Sequence, residues 1–193
     1  MKTLLAAVCL VCLIAGCHTH PPVAPAERTG QVTFKGKPLT LLGGPIAVVD
    51  AAPSFVAVAQ DMSEKKLSDY AGKTVILSVV PSVDTSVCAI QTRRFNEEAA
   101  ALGKEVVILT ISMDLPMAQK RFCAAEGIEQ VVTLSDYKYW DFGKKWGLRI
   151  KEKGLLARAI YVVDSSGHVT YAHVVSELTD EPDYAAAIKA AGS

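Results

Sequence analysis

Cys88 lies where a predicted strand is followed by a predicted helix. The apolar run Thr74–Val80, TVILSVV, indicates a buried strand, and Ala89–Leu102 has the apolar spacing of a helix. Unpaired backbone N–H groups and the positive end of the helix dipole would then lie beside the sulfur. Both favour the thiolate, which is the nucleophilic form of cysteine. The sequence therefore predicts a reactive thiol at position 88.

The surrounding pattern predicts an α/β fold. Glu105–Ser112 is a second continuous apolar run, and such runs suit strands that are buried on both faces of a sheet. Pro116–Glu126 has a helical pattern with Leu115, Ala118, Phe122 and Ala125 near one face. Tyr139–Trp146 is also predicted to be helical.

Both ends of the folded domain have further elements. Gln31–Phe34 and Pro38–Leu42 predict an N-terminal β-hairpin. Ala159–Asp164 and His168–Val174 predict a second hairpin, and Tyr184–Ala191 predicts a final helix. A βαβ core followed by a hairpin and a helix is typical of a thioredoxin-like α/β sandwich.

Length and charge limit the function classes. The chain has 193 residues, with 20 Lys plus Arg against 20 Asp plus Glu. This length suits one domain with a sizeable core. The balanced charge gives no indication of nucleic acid or an anionic surface as a partner.

The first residues resemble a bacterial lipoprotein signal. Lys2 precedes the apolar core Leu4–Ala15, which is too short to span a bilayer comfortably. Leu13–Cys17, LIAGC, resembles a lipobox, in which cleavage precedes the cysteine and Cys17 is acylated. An ordinary secretory signal with a chance cysteine is the alternative, because small residues at 15 and 16 also fit its cleavage site.

The predicted organisation is a lipoprotein signal peptide over 1–16, a proline-rich tether over 17–30 and a folded domain over 31–193. The residue after Cys17 is His18 and not Asp, a feature that resembles the sorting signal of outer-membrane lipoproteins. The expected location is therefore the periplasmic side of the cell envelope, on the outer membrane.

Removal of the signal and acylation of Cys17 leave two thiols, Cys88 and Cys123. In an exported chain a single pair predicts by default a structural disulfide. The position of Cys88 at a strand-to-helix turn argues against that interpretation, because a purely structural thiol gains nothing from it. A small core cysteine is a further alternative for Cys123. The residues alone leave a reactive thiol and a static crosslink open.

The pattern Pro81-x-x-x-Thr85-x-x-Cys88 resembles the active-site motif of the peroxiredoxins. The longer run over 81–88, PSVDTSVC, with RRFN at 93–96, is similar to the thiol peroxidase branch, the atypical two-cysteine peroxiredoxins.

Two later segments agree with this branch. Residues 114–123, DLPMAQKRFC, resemble the segment that carries its resolving cysteine, and 156–159, LARA, resembles the strand that supplies its active-site arginine. The resemblance covers roughly Gln31 to Ala191 and implies a thioredoxin-like thiol peroxidase domain.

The resemblance implies a role for each site residue. Cys88 would be the peroxidatic nucleophile that becomes a sulfenic acid, and Thr85, at i−3, would present its hydroxyl to the sulfur and the peroxide. Pro81 would wall the site from water, and Arg158 would place a cation beside the thiolate and the departing oxygen. Cys123 would resolve the sulfenic acid as an intramolecular disulfide.

Other interpretations of three site residues remain open. Thr85 is a suitable helix N-cap, and Arg158 suits a buried ion pair. Arg93 matches the arginine that follows the nucleophile in the family and is a candidate for active-site support, but an exposed ion pair is its alternative.

If Cys88 and Cys123 lie on separate helices, we expect both helices to unwind partly before the sulfurs bond.

The resemblance implies a hydroperoxide substrate, a thioredoxin-like reductant and a homodimer, with no cofactor and no metal. The lipid anchor would be the only attachment to the membrane. Because cytoplasmic thioredoxin cannot reach a periplasmic enzyme, the reductant would have to be in the envelope. The alternatives are an envelope thiol–disulfide carrier and a non-enzymatic lipoprotein with a static disulfide. A carrier of this fold would have Cys-x-x-Cys at the strand-to-helix turn, where Cys88 is a single cysteine. A copper-delivering lipoprotein of the same fold would have Cys-x-x-x-Cys and a histidine, whereas Asp84 and Thr92 occupy the two positions where the second cysteine could lie.

Overall fold

A computed structural model describes residues 25–192 of the chain. The predicted signal peptide, the acylated Cys17 and most of the tether lie outside the described residues. Among the residues that are described, no helix is both long and apolar enough to cross a membrane.

The described chain alternates strands and helices, with one 3-10 turn at Leu67–Tyr70. The strands are β1 Glu27–Phe34, β2 Lys37–Leu42, β3 Val56–Ala59, β4 Glu64–Lys66, β5 Thr74–Val79, β6 Val106–Ser112, β7 Val132–Ser135, β8 Arg149–Ile150, β9 Ala159–Val163 and β10 Val169–Val174. The helices are α1 Ser86–Leu102, α2 Pro116–Glu126, α3 Asp141–Lys145 and α4 Tyr184–Ala191.

Seven strands form the central sheet, in the order β10-β9-β5-β6-β7-β3-β4. The three inner strands β5, β6 and β7 run parallel, and β9 and β3 flank them in antiparallel orientation. A second sheet contains β1, β2 and β8. The parallel centre explains why β5 and β6 are continuously apolar, because both of their faces are covered.

The two faces of the central sheet have separate cores. On β5, Ile76 packs with Phe95 and Phe122 on the face covered by α1, α2 and α4. Its neighbours Val75 and Leu77 pack on the opposite face, with aromatic side chains from α3 and the chain beside it. Successive side chains on one strand therefore enter different cores, as the period of two requires.

The N-terminal hairpin begins earlier than the sequence predicted. Glu27 and Arg28 already pair with β2, so β1 starts four residues before Gln31. Arg28 also donates hydrogen bonds to the carbonyl oxygens of Gly43 and Gly147. These contacts hold the hairpin against the rest of the domain. They explain why residues 27–30, which were predicted to belong to the tether, are part of β1.

The apolar face predicted for α2 was only half right. Phe122 is buried and Ala118 is half-buried, as predicted, but Leu115 is 48% exposed and Ala125 is also exposed, whereas Cys123 faces the core. The buried polar side chain of Gln119 belongs to this face, because it donates to the Ser112 hydroxyl and the Leu134 carbonyl. A pattern that counts apolar residues alone cannot include such a position.

Candidate active site

Cys88 lies in the first turn of α1 and is completely buried. The helix begins at Ser86, three residues before its predicted start, so the cysteine is inside it. The first backbone N–H groups of a helix have no partner within it, and the dipole is positive at this end. The sulfur is therefore placed where a negative charge is stabilised.

Thr85 precedes α1 with an extended backbone, φ −103° and ψ 145°, and its side chain does not cap the helix. Its hydroxyl lies 2.8 Å from the Cys88 sulfur and 3.2 Å from the Ser82 carbonyl oxygen. A hydroxyl has one proton, so it can donate to only one of these two acceptors at a time. Thr85 therefore occupies the N-cap position, as one interpretation of the sequence predicted. Its hydroxyl, however, contacts the Cys88 sulfur instead of capping the helix.

Arg158 precedes β9 and is only 2% exposed. Its Nη2 lies 3.3 Å from the Cys88 sulfur, and its Nη1 donates to Gln91 Oε1 at 2.8 Å. Nε and Nη2 donate to the Leu178 carbonyl oxygen at 3.2 and 2.9 Å. A buried guanidinium needs such acceptors to offset its desolvation. The structure thus brings Arg158 to Thr85 and Cys88, although it lies 70 positions after Cys88 in sequence.

Gln91 and Leu178 were missed by sequence reasoning. Gln91 is fully buried, and its Nε2 donates to the Ser78 hydroxyl at 2.8 Å while its Oε1 accepts from Arg158. Gln91 lies three residues after Cys88 on the same buried face of α1, and this spacing could have indicated that it lies near the sulfur. Leu178 acts through its backbone carbonyl, which a side-chain pattern does not reveal.

Asp114 holds the loop that precedes α1. Its Oδ2 accepts hydrogen bonds from the Val83 N–H at 2.8 Å and the Ser112 hydroxyl at 2.7 Å. Its Oδ1 accepts from the Ser82 hydroxyl at 2.7 Å. Asp114 lies between β6 and α2, so one carboxylate connects the segments that lead into both cysteine-bearing helices.

A cavity of about 230 Å³ opens beside the site. Pro81, which is buried, lines it together with Thr85 and Arg158. The other lining residues are Phe34, Ser86, Val87, Lys153, Leu155, Leu178 and Thr179. The wall is mostly apolar, and two of its polar residues, Thr85 and Arg158, contact the Cys88 sulfur.

Cys123 is a separate thiol on α2, 6% exposed. Its sulfur lies 3.8 Å from the Thr133 hydroxyl, and burial raises the pKa of the Cys123 thiol. Cys88 and Cys123 are both free cysteines, and each sulfur has its own polar partners. With the fold intact, Cys123 is held as a neutral thiol.

Arg93 does not contact the sulfur in the described residues. Its Nη1 pairs with Glu126 at 2.6 Å, and its side chain is 40% exposed. The structure therefore corresponds to the alternative predicted for Arg93, an exposed ion pair, and this pair joins α1 to the end of α2.

Comparison with known proteins identifies the family. The Redoxin family model matches residues 47–188. The thiol peroxidase of Oceanobacillus iheyensis is 56% identical over 158 residues, which are 82% of this chain and 96% of that protein. The chain belongs to the thiol peroxidase family. The thiol peroxidase of Bacillus subtilis is 52% identical over 161 residues, 83% of this chain and 96% of that protein.

Solved structures agree with this membership. A peroxiredoxin-like protein from Aquifex aeolicus has a TM-score of 0.78 at 39% identity, covering 83% of this chain and 95% of that one. A thiol peroxidase from Chromobacterium violaceum, 22% identical, matches 82% of this chain and 93% of that one with a TM-score of 0.74 and supports the fold. The predicted thioredoxin-like α/β fold is confirmed. As a thiol peroxidase family member, the chain is a peroxiredoxin-type oxidoreductase.

Proposed function

We propose that the chain reduces hydroperoxides with Cys88 as its nucleophile. The observation that carries this proposal is the contact of one buried sulfur with the Thr85 hydroxyl and the Arg158 guanidinium. Both groups are donors, so both stabilise a thiolate. Family membership independently supports a thiol-dependent peroxidase.

The chemical step is an attack by the thiolate on one oxygen of the peroxide. The sulfur–oxygen bond forms as the O–O bond breaks, so the sulfur is oxidised to a sulfenic acid and the peroxide is reduced to an alcohol, or to water. The departing oxygen gains negative charge before it takes up a proton. Arg158 and Thr85 are placed to donate hydrogen bonds to that charge as it develops.

The second step joins Cys123 to Cys88. The Cys123 sulfur attacks the sulfenic sulfur, a disulfide forms and the hydroxyl leaves as water. The proposed recycling reagent is an external thioredoxin-like dithiol, which reduces the disulfide by exchange and is itself oxidised.

The cavity favours organic hydroperoxides as substrates. Its lining is mostly apolar, from Phe34, Pro81, Val87, Leu155 and Leu178. Burial of an alkyl or aryl group there contributes free energy that hydrogen peroxide cannot gain. We expect a higher kcat/KM for an organic hydroperoxide than for hydrogen peroxide.

We further propose a lipid-anchored homodimer on the periplasmic side of the outer membrane. The anchor proposal is based on LIAGC at 13–17, with acylation at Cys17 and a tether to the folded domain. Exposed apolar side chains of Ile90, Leu115 and Met117 near the starts of α1 and α2 support self-association. Labelling with a fatty acid in a Cys17→Ala variant and sedimentation of the soluble domain test the two claims separately.

Peroxide consumption coupled to a thioredoxin system tests the central proposal. The wild-type domain should consume an organic hydroperoxide catalytically, and Cys88→Ser should lose all turnover. Cys123→Ser should form one equivalent of sulfenic acid and then stall. If Cys88→Ser retained turnover, the assigned nucleophile would be wrong. If the wild type formed only a stable disulfide without consuming peroxide, the static crosslink would be the better description.

A further inference from the structure

Two acceptors fix the guanidinium of Arg158 against the Cys88 sulfur. Gln91 Oε1 accepts from Nη1, and the Leu178 carbonyl oxygen accepts from both Nε and Nη2. Gln91 is on α1, in the core. Leu178 is in the connection between β10 and α4, outside regular structure, so its carbonyl needs some other contact to hold it in place.

The N-terminal hairpin supplies that contact through the backbone. The Thr33 N–H donates to the Ser176 carbonyl at 2.7 Å, and the Leu178 N–H donates to the Thr33 carbonyl at 2.9 Å. The end of β1 thus pairs with the residues on either side of Glu177. A displaced hairpin would carry the Leu178 carbonyl with it.

The carboxylate of Glu177 also joins the two segments. It accepts from the backbone N–H groups of Lys35 and Gly36, at 3.0 and 3.1 Å, and from the Thr33 hydroxyl at 2.8 Å. It also accepts from the N–H and hydroxyl of Thr179 at 3.2 and 2.9 Å. One charged group is therefore bonded to both sides of the junction.

The hairpin turn is shaped to hold an anion. Lys35 and Gly36 both have positive φ, 51° and 73°, as in a two-residue turn of type I′. Their successive N–H groups point at the Glu177 carboxylate, the arrangement of a backbone nest. The hydrogen bond from Gly36 is the main reason that the pKa of Glu177 is lowered to about 2. Glu177 therefore remains charged under ordinary conditions.

We propose that Glu177 is a positioning residue for the reactive cysteine: by pinning the Leu178 carbonyl to the N-terminal hairpin, it holds the Arg158 guanidinium against the Cys88 sulfur. The consequence for peroxide reduction rests on the proposed function. The effect on Cys88 itself is measurable without any peroxide, so the two claims can fail separately.

The first experiment follows the ionisation of Cys88 by its rate of alkylation against pH, in a Cys123→Ser background. Glu177→Ala should move this profile to higher pH by about one unit, because a less well placed guanidinium stabilises the thiolate less. At a pH below both midpoints the alkylation rate should fall about tenfold. Glu177→Gln keeps one acceptor oxygen and should give a smaller shift in the same direction.

Glu152, which follows β8 and contacts the same hairpin, offers a matched control. Both of its carboxylate oxygens accept from the Thr40 N–H, at 3.1 and 3.0 Å, and its contacts do not involve the connection that carries Leu178. Glu152→Ala should leave the alkylation profile unchanged, whatever it does to thermal stability. An equal shift in Glu152→Ala would overturn the proposal in favour of general loosening of the hairpin.

The second experiment tests whether Glu177 acts through Arg158. In an Arg158→Met background, Glu177→Ala should change the alkylation profile no further, because the coupled group is already absent. A shift of the same size with and without Arg158, or no shift in Glu177→Ala, would refute the assignment. A wild type that alkylates normally but consumes no peroxide would refute the proposed function and leave the assignment to be decided by the alkylation profiles.

Discussion

At the scale of single residues, the site combines two donors to one sulfur at the start of a helix. The Thr85 hydroxyl comes from the chain just before Cys88, and the Arg158 guanidinium comes from a position 70 residues further along, just before β9. The local pair was predictable, because Thr85 is only three positions before Cys88, at the start of the helix that carries it. The identity of the distant arginine came from family resemblance, since no local rule specifies which strand end will meet α1.

Removal of the Thr85 hydroxyl gives the first prediction. Thr85→Val keeps the shape of the side chain but removes the hydrogen bond to the sulfur, and bonds to charged groups are worth about 1.5–3 kcal/mol. The second-order rate constant with an organic hydroperoxide should fall roughly ten- to hundredfold. Thr85→Ser restores the hydroxyl and should retain most of the rate. A Thr85→Val enzyme as fast as wild type would show that the hydroxyl has no part in the reaction.

At the scale of elements, the sequence predicted the regular core well and the irregular contacts poorly. The bounds of α2 and α4 were predicted correctly, because Pro116 starts the first and Gly192 follows the second. The two-residue strand β8 and the short β4 were missed, since neither is long enough to show a period. The hydrogen bonds of Asp114 join segments about thirty residues apart, and no spacing predicts them.

Asp114 gives a prediction about opening of the site. Asp114→Asn removes the charge that holds the Ser82 hydroxyl and the Val83 N–H, so the starts of α1 and α2 should open more readily. Disulfide formation after one equivalent of peroxide should be up to about tenfold faster. Asp183→Asn, which alters the N-cap of α4, is the matched control and should leave this rate unchanged. Slower or unaltered disulfide formation in Asp114→Asn would show that Asp114 does not restrain opening.

Asp136 gives a prediction about stability and pH. This carboxyl is 1% exposed and accepts from the Phe142 and Gly143 N–H groups at 3.0 and 2.8 Å. Burial raises its pKa to about 6 from an ordinary value of 3.8. Between these values the folded state holds more protons than the unfolded state, so this carboxyl lowers the free energy of unfolding as pH rises through that window.

The comparison is between wild type and Asp136→Asn, with the free energy of unfolding measured by denaturant at several pH values. The wild type should lose up to about 3 kcal/mol between pH 4 and 6 relative to the variant. Parallel pH profiles for the two proteins would contradict the assignment. The slope is the relevant quantity, since the amide also changes the hydrogen bonding at the start of α3 and shifts stability at every pH.

At the scale of the whole molecule, we expect conformational change in the helices that cover one face of the sheet and not in the paired strands. Cys88 and Cys123 are on separate helices that cover one face of the sheet, in one core cluster with Phe95 and Phe122. A disulfide needs Cα atoms within about 7 Å and a restricted geometry. The separate partners of the two sulfurs must be given up before such a bond can form.

Hydrogen exchange should locate that change. In the disulfide form, amides in the first turns of α1 and in the second half of α2 should lose protection, while the paired strands β5 and β6 should remain protected. Cys123→Ser, oxidised to the sulfenic acid, is the control that separates oxidation from bond formation. Full helical protection in the disulfide form would show that the sulfurs can meet without unwinding.

The burial of Arg158 has a consequence for timing. Among the described groups that accept from its guanidinium, two are neutral oxygens, and the sulfur is the one that can be anionic. Conversion of the thiolate to an uncharged sulfenic acid removes the counter-ion and leaves a cation in the interior, a situation that typically costs about 3–5 kcal/mol. The reaction with peroxide would thereby weaken the closed site at the moment when Cys123 must reach it, so that each turnover triggers its own conformational change.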